Sequence, residues 1–285
     1  MEIYFELIRD AASLERACGE LAGKPFLGFD VETTELDPYR GDVRLVQLSD
    51  GNSTKVIDLK AFAGGEWGRG RSTTPSAEAA ATPPSQGGEF GNASAAAPVR
   101  ESFLRTNPEL APLRELLAST TSVKVAHNAK FDTKWVRHHL GCEVGAIYDT
   151  YLASVLISAG EGERRHGLAD LVQFFLGRTL DKTEQVSDWG ADELTQSQIE
   201  YAAKDAAIMN ELRDKVHERI VADELEQVLA LENACVMPIA EMELNGFYID
   251  QERWREQLNK VTKIQVKAAE ELQYMLSAGV AQASL

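Results

Sequence analysis

Three short stretches of the chain carry residue types that can do chemistry together. The first, Phe29-Asp30-Val31-Glu32-Thr33-Thr34, ends a short apolar run from Pro25 to Val31 with two acids two residues apart. Residues i and i+2 of a strand share a face, so Asp30 and Glu32 project together. Two adjacent carboxylates repel unless a cation or a shared proton offsets them. Taken alone, the pair also suits a strand end entering solvent. The second stretch, His127-Asn128-Ala129-Lys130-Phe131-Asp132, follows an apolar run and opens a helix. Asp132 falls in the first helical turn, where the macrodipole favours a negative charge; it either faces a cleft or sits there for that reason only. In the third, Tyr201-Ala202-Ala203-Lys204-Asp205, the phenol and the carboxylate are four apart and stack on one helix face. They can share a water or a metal-bound hydroxide, or they are a core tyrosine and a surface acid.

The elements that must position these groups can be read from periodicity. Pro25–Val31 has the composition of a buried strand. Val43–Ser49 alternates in period two, Asp50-Gly51-Asn52 supplies a turn, and Lys55–Leu59 resumes the alternation, which predicts a hairpin. Short helices are predicted over Leu110–Leu117 and Leu168–Leu176, a strand over Ser122–Ala126, and a helix carrying Phe131, Trp135, Val136 and Leu140. Asp149 is placed as the N-cap of a helix through Leu156. Thr195 with Gln198 forms a capping box for a long helix toward Val221. A further helix runs from Leu225 to Met237 and is expected to stop at Pro238. Trp254, Leu258, Val261, Ala268, Leu272 and Met275 mark a final amphipathic helix. Strands with a hairpin first, then strand and helices in alternation, predict an α/β fold on a mixed sheet. Between Gly64 and about Pro108 the composition turns to Gly, Ser, Ala, Thr and Pro, which predicts a disordered insertion. Phe90, Phe103 and Leu104 are its isolated apolar residues, and Arg164 and Arg165 lie in a polar loop further on.

The chain has 285 residues and 44% hydrophobic content, enough for one sizeable core or a domain with an appendage. A formal net charge of −16 argues against gripping duplex DNA through a broad basic face. Local contacts near a strand end stay open. Cys18, Cys142 and Cys235 have neither disulfide nor zinc spacing and suggest reduced thiols. Met1-Glu-Ile-Tyr-Phe-Glu-Leu has no basic, apolar signal pattern and no run reaches membrane length, so a cytoplasmic location without membrane contact is expected. The five histidines show no metal spacing and are read as structural.

In their order and on their predicted elements, Asp-x-Glu, Asn-x-x-x-Asp and Tyr-x-x-x-Asp resemble the DEDD 3′→5′ exonuclease superfamily, in its DEDDy branch. The stretches Tyr148-Asp149-Thr150, His166-Gly-Leu-Ala-Asp-Leu171 and Leu180-Asp-Lys-Thr-Glu-Gln-Val-Ser-Asp-Trp189 are similar to text in ribonuclease D-like enzymes and in the proofreading domain of family A DNA polymerases. The resemblance implies a ribonuclease H-like mixed sheet flanked by helices. It also implies that Asp30, Glu32, Asp132 and Asp205 hold two Mg²⁺ or Mn²⁺ ions, with Tyr201 orienting the attacking water. An unperturbed phenol pKa of about 10 makes tyrosine a poor base at neutral pH. Thr33, Leu36, Asn128 and Phe131 are then expected to touch the terminal nucleotides, although Leu36 and Phe131 equally suit core packing and Asn128 a helix cap. Trp189 is read as packing support. The implied partner is a DNA 3′ end, single-stranded or frayed, with RNA or a catalytically inactive binding module as alternatives. Leu231–Asp250 resembles the lead-in to a family A polymerase domain, whose catalytic parts are absent. The expected division is an exonuclease domain over 1–222 and a helical tail over 223–285. Polymerisation by this chain is not expected. The amphipathic tail helix is expected to support self-association.

Overall fold

A computed structural model of the chain describes residues 3–67, 103–159 and 165–282. Phe90 and Arg164, with most of the predicted insertion, lie outside them. The strands are β1 (Tyr4–Ile8), β2 (Phe26–Thr33), β3 (Val43–Ser49), β4 (Ser53–Asp58), β5 (Val123–Ala126) and β6 (Ile147–Asp149). They form a mixed sheet in the order β1-β4-β3-β2-β5-β6. The β2–β3 and β3–β4 ladders are antiparallel, whereas β1–β4, β2–β5 and β5–β6 are parallel. Helices α1 (Ala11–Leu21), α2 (Phe103–Thr106), α3 (Ala111–Ala118), α4 (Lys130–Trp135), α5 (Thr150–Ser158), α6 (Leu168–Leu176) and α7 (Gln196–Ala222) connect and cover it. Helix α8 (Glu226–Asn245) follows.

The period of two in β2 sorts its side chains between two cores. Leu27, Phe29 and Val31 join Leu14, Leu113, Leu117 and Trp135 on one side of the sheet. Gly28, Asp30 and Glu32 therefore face the other side, where α7 lies. Helix α7 runs so close that a Cβ on Gly28 would stand 2.0 Å from the carbonyl oxygen of Ala206. Only a residue without a side chain permits this approach. Small residues on α7, Ala202, Ala203 and Ala206, are buried at the same contact. Thr195 caps α7 with the expected box, since its hydroxyl accepts from Gln198 N and the Gln198 side chain accepts from Thr195 N. The β2–β3 register shifts between Glu32 and Thr33, a bulge that ends the ladder just beyond the two acids.

Several features of the described residues differ from the sequence reading, helix α1 among them. Gly64–Glu66 and Phe103–Thr106 are helical turns, and Leu104 is buried, so order reaches further into the 64–108 stretch than its composition suggests. The Asn107 side chain donates to Phe62 O at 2.8 Å across it. Helix α8 does not stop at Pro238. Its last turns are tied to α4 through Lys130 and Lys134 with Glu243, and to the helical turn after α4 (Val136–Leu140) through Arg137 with Glu241. The compact units are Met1–Leu244 and Asn245–Leu285. Leu229 and Val236 of α8 bury themselves in the two cores of the first unit, which a fold-independent composition shift could not reveal. The short strands β1 and β6 were not anticipated; β6 has three residues, too few for a periodic signal. The second unit is built on α9 (Gln251–Gln282), whose N-terminus is capped by Asp250. The cysteines are free. Among the described residues no helix is long and apolar enough to cross a membrane.

Candidate active site

A cleft of about 530 Å³ opens where β2, the β5–α4 turn and α7 converge, and Asp30, Glu32, Asn128, Phe131, Asp132, Tyr201 and Asp205 all line it. Each reaches it for a local reason. Asp30 and Glu32 share a strand face. Tyr201 and Asp205 share a helix face one turn apart. Asp132 sits in the first turn of α4, and its Oδ1 accepts from Val31 N at 3.2 Å, which locks α4 to the strand between the two acids. Asp132 and Asp205 are 3% and 8% exposed, so they are strongly desolvated, while Asp30 and Glu32 are partly open to the cleft.

Asp149 does more than cap a helix. Its carboxylate accepts from Tyr151 N at 2.8 Å and also from Asn128 N and Ala129 N, both at 2.9 Å. Asn128 has φ 62°, a left-handed conformation that asparagine tolerates better than most residues. The turn that aims Asn128 and Asp132 is thus fixed by one buried anion.

The electrostatics follow from crowding acids out of water. Burial, followed by the charges of Asp132, Glu32 and Asp205, pushes the Asp30 carboxyl well above its usual range. Glu32 is raised by burial and then by Asp205 and Asp132. Burial also raises Asp132, against the hydrogen bond from Val31 N. Asp205 is pushed up to about 7 by burial, opposed by the Tyr201 hydroxyl and by the charge of Lys182. Burial and the neighbouring carboxylates push the Tyr201 phenol up as well, so it stays neutral and can serve only as a hydrogen-bonding group at ordinary pH. Among the described residues, no three His, Cys, Asp or Glu side chains stand close enough together to form a ligand cluster. The donor set is all oxygen and anionic, the chemistry that hard divalent cations require.

Thr33 and Leu36 do not line the cleft. The Thr33 hydroxyl donates to Glu35 O at 2.8 Å, and Leu36 is 84% exposed beyond the bulge. Two histidines read as structural stand in the cleft wall instead. The His127 ring bonds the Thr150 hydroxyl at 3.0 Å, and burial lowers its pKa to about 4, so it is neutral. The His166 Nδ1 meets the Ser154 hydroxyl at 2.8 Å. Tyr151, Lys182 and Gln185 also line the wall; His166 and Lys182 lie inside the stretches that carry the resemblance, but their spacing gives no reason to aim them here. Trp189 packs against Tyr201 with ring centroids 6.4 Å apart. Behind it, buried Arg44 pairs with Asp58 at 2.9 Å and donates to Trp189 O and Ala191 O.

A ribonuclease H-like mixed sheet with four acids from three elements in one cleft defines a nuclease of the DEDD type. The family model described as 3′-5′ exonuclease matches residues 5–63 and 90–220, and the chain belongs to that family. It is 28% identical to DNA polymerase I of Aquifex aeolicus over 94% of this chain and 40% of that protein. It is 25% identical to ribonuclease D of Zymomonas mobilis over 78% of this chain and 47% of that protein. The chain therefore spans less than half the length of these curated relatives. The solved structure of Escherichia coli RNase D, an exoribonuclease involved in structured RNA processing, superposes with a TM-score of 0.62 at 20% identity, covering 91% of this chain and 55% of that one. Brucella melitensis NrnC with bound Mg²⁺ gives a TM-score of 0.59 at 22% identity, covering 86% and 95%.

Proposed function

We propose that this chain removes nucleotides from the 3′ end of DNA by a two-metal-ion hydrolysis that releases nucleoside 5′-monophosphates. The observation that carries the reading is the convergence of Asp30, Glu32, Asp132 and Asp205, with Tyr201 beside them, in a single cleft. Asp30, Glu32, Asp132 and Asp205 are the residues that would hold Mg²⁺ or Mn²⁺. Two such ions, when bound, would activate a water near neutral pH and would offset charge on the scissile phosphate and the departing 3′-oxygen. The protein's own contribution is placement. Val31 N fixes the Asp132 carboxylate, the four-residue step on α7 sets Tyr201 over Asp205, and the neutral phenol orients the attacking water without taking its proton. Asn128 and Phe131, on the cleft rim, are positioned to hold the sugar-phosphate and the terminal base; the role of Thr33 and Leu36 as nucleotide contacts would require the post-bulge loop to fold toward the substrate.

The similarity to DNA polymerase I over nearly the whole chain supports DNA as the substrate. Ribonuclease D relatives support a second reading, an RNA 3′-end exonuclease. Labelled single-stranded DNA and RNA of one sequence, incubated with Mg²⁺, Mn²⁺ or EDTA, separate the possibilities. Mononucleotide release from DNA that stops in EDTA is expected. Release that persists in EDTA, or in an Asp30→Ala, Asp205→Ala double variant, excludes the two-metal reading. Faster release from RNA replaces the DNA assignment.

A further inference from the structure

Across the β2–β3 ladder, Gln47 stands directly opposite Asp30. Opposite residues of an antiparallel pair project to the same face, with Cβ atoms about 4.5–5.5 Å apart. That face is the one under α7, because the next pair on the same face, Gly28 and Ser49, meets Ala206 and the side chain of Asn210. Gln47 is 0% exposed. Neither its Nε2 nor its Oε1 has a hydrogen-bond partner among the described residues. Its strand neighbour Leu45 and its β4 partner Val56 belong to an apolar cluster with Ala202 and Ala203, so a hydrocarbon side chain would suit the position. An unpaired carboxamide is costly there. Such a group calls for a reason, and the nearest chemistry is the carboxylate across the ladder. A ligating carboxylate is held by donors to its outer oxygen, and a carboxamide N–H is a donor without charge.

We propose that Gln47 is a positioning residue for Asp30, its Nε2–H donating to the Asp30 carboxylate and keeping it aimed into the cleft when divalent cations are bound. The assignment rests on reading Asp30 as a cation ligand. It differs from a packing role in its sign. A glutamine that merely fills space is destabilising to remove. One left unpaired without cations is stabilising to replace by a hydrocarbon of similar shape, at the expense of cation affinity.

The test uses the full chain with Gln47→Met, and Gln47→Leu in case methionine packs badly. Melting is measured in EDTA, and Mn²⁺ alone is titrated by calorimetry. The expected result is a melting temperature in EDTA equal to or above wild type, with Mn²⁺ affinity reduced about 10–100-fold. The Mn²⁺ midpoint for activity should shift by the same factor. Unchanged Mn²⁺ affinity in both variants overturns the assignment. So does an affinity loss seen only together with a lowered melting temperature. Asp30→Asn is run beside them. If it retains Mn²⁺ affinity and activity, the cation reading of the cleft fails; if it loses both while the Gln47 variants keep both, only the role of Gln47 fails.

Discussion

Gly28→Ala tests whether the distance between α7 and the sheet sets activity. The added Cβ would lie 2.0 Å from Ala206 O and 3.1 Å from the Met209 Cβ. Opening the first contact to the 3.0 Å that real Cβ atoms respect requires about 1 Å of separation. The obstacle is helix backbone, so no rotamer change can absorb it. Ala206 directly follows Asp205, and Tyr201 is just over one turn away, so the retreat moves both away from Asp30 and Glu32. A misplacement of about 1 Å can lower turnover about 100-fold. Overpacking of this kind costs about 1–3 kcal/mol, or roughly 2–12 °C in melting temperature for a unit of this size. Gly145→Ala is the control: its Cβ would meet Ser119 O at 2.3 Å and Ala118 O at 2.6 Å, a comparable backbone clash away from the cleft. Single-turnover assays at saturating Mg²⁺ and thermal melts are run on both variants. Both should melt lower, and only Gly28→Ala should lose the chemical step. Wild-type turnover in Gly28→Ala, or an equal loss in Gly145→Ala, refutes the argument that α7 spacing controls the site.

Asp205→Asn should raise the melting temperature of the cation-free protein at pH 8. Its carboxyl is lifted from 3.8 to about 7 in the folded state, so the penalty is complete above pH 7 and gone below about 4, with a ceiling of roughly 4 kcal/mol; melts across that window should show the gain shrinking as pH falls. Mn²⁺ should stabilise wild type in the same melts and leave the variant nearly unmoved. Tyr201→Phe should lower kcat about 10–100-fold through a misplaced water while KM for a labelled oligonucleotide holds. Arg44→Met removes the buried partner of Asp58 and two carbonyl contacts behind Trp189; because Arg9 stays paired with Asp58 at 3.2 Å, denaturant unfolding should show a loss near the lower end of such cases, about 3 kcal/mol.

The four acids and Tyr201 were legible because each pair obeys a local rule: a two-residue step on β2, a four-residue step on α7, and a helix start for Asp132. The hairpin was legible for the same reason. What escaped depends on partners distant in sequence. Gln47 gains meaning only when the register sets it opposite Asp30. His127 and His166 enter the cleft wall through Thr150 and Ser154, on a helix that neither belongs to. Pro238 predicts a stop, yet charges on α4 and on the turn after it hold the rest of α8 in place. Leu229 and Val236 of α8 likewise gain their places only from cores built by earlier elements.

The contact between Gly28 and Ala206 also orders events in time. Asp30 and Glu32 leave the ribosome long before α7 exists, and at 5–20 residues per second the 173 positions from Glu32 to Asp205 take roughly 9–35 s to add. Until Asp132 is added the chain holds two of the four acids, and until α7 is added their sheet face lacks its cover. Because α7 brings both Tyr201 and Asp205 as it covers that face, the last acid arrives on the helix that closes over the first two.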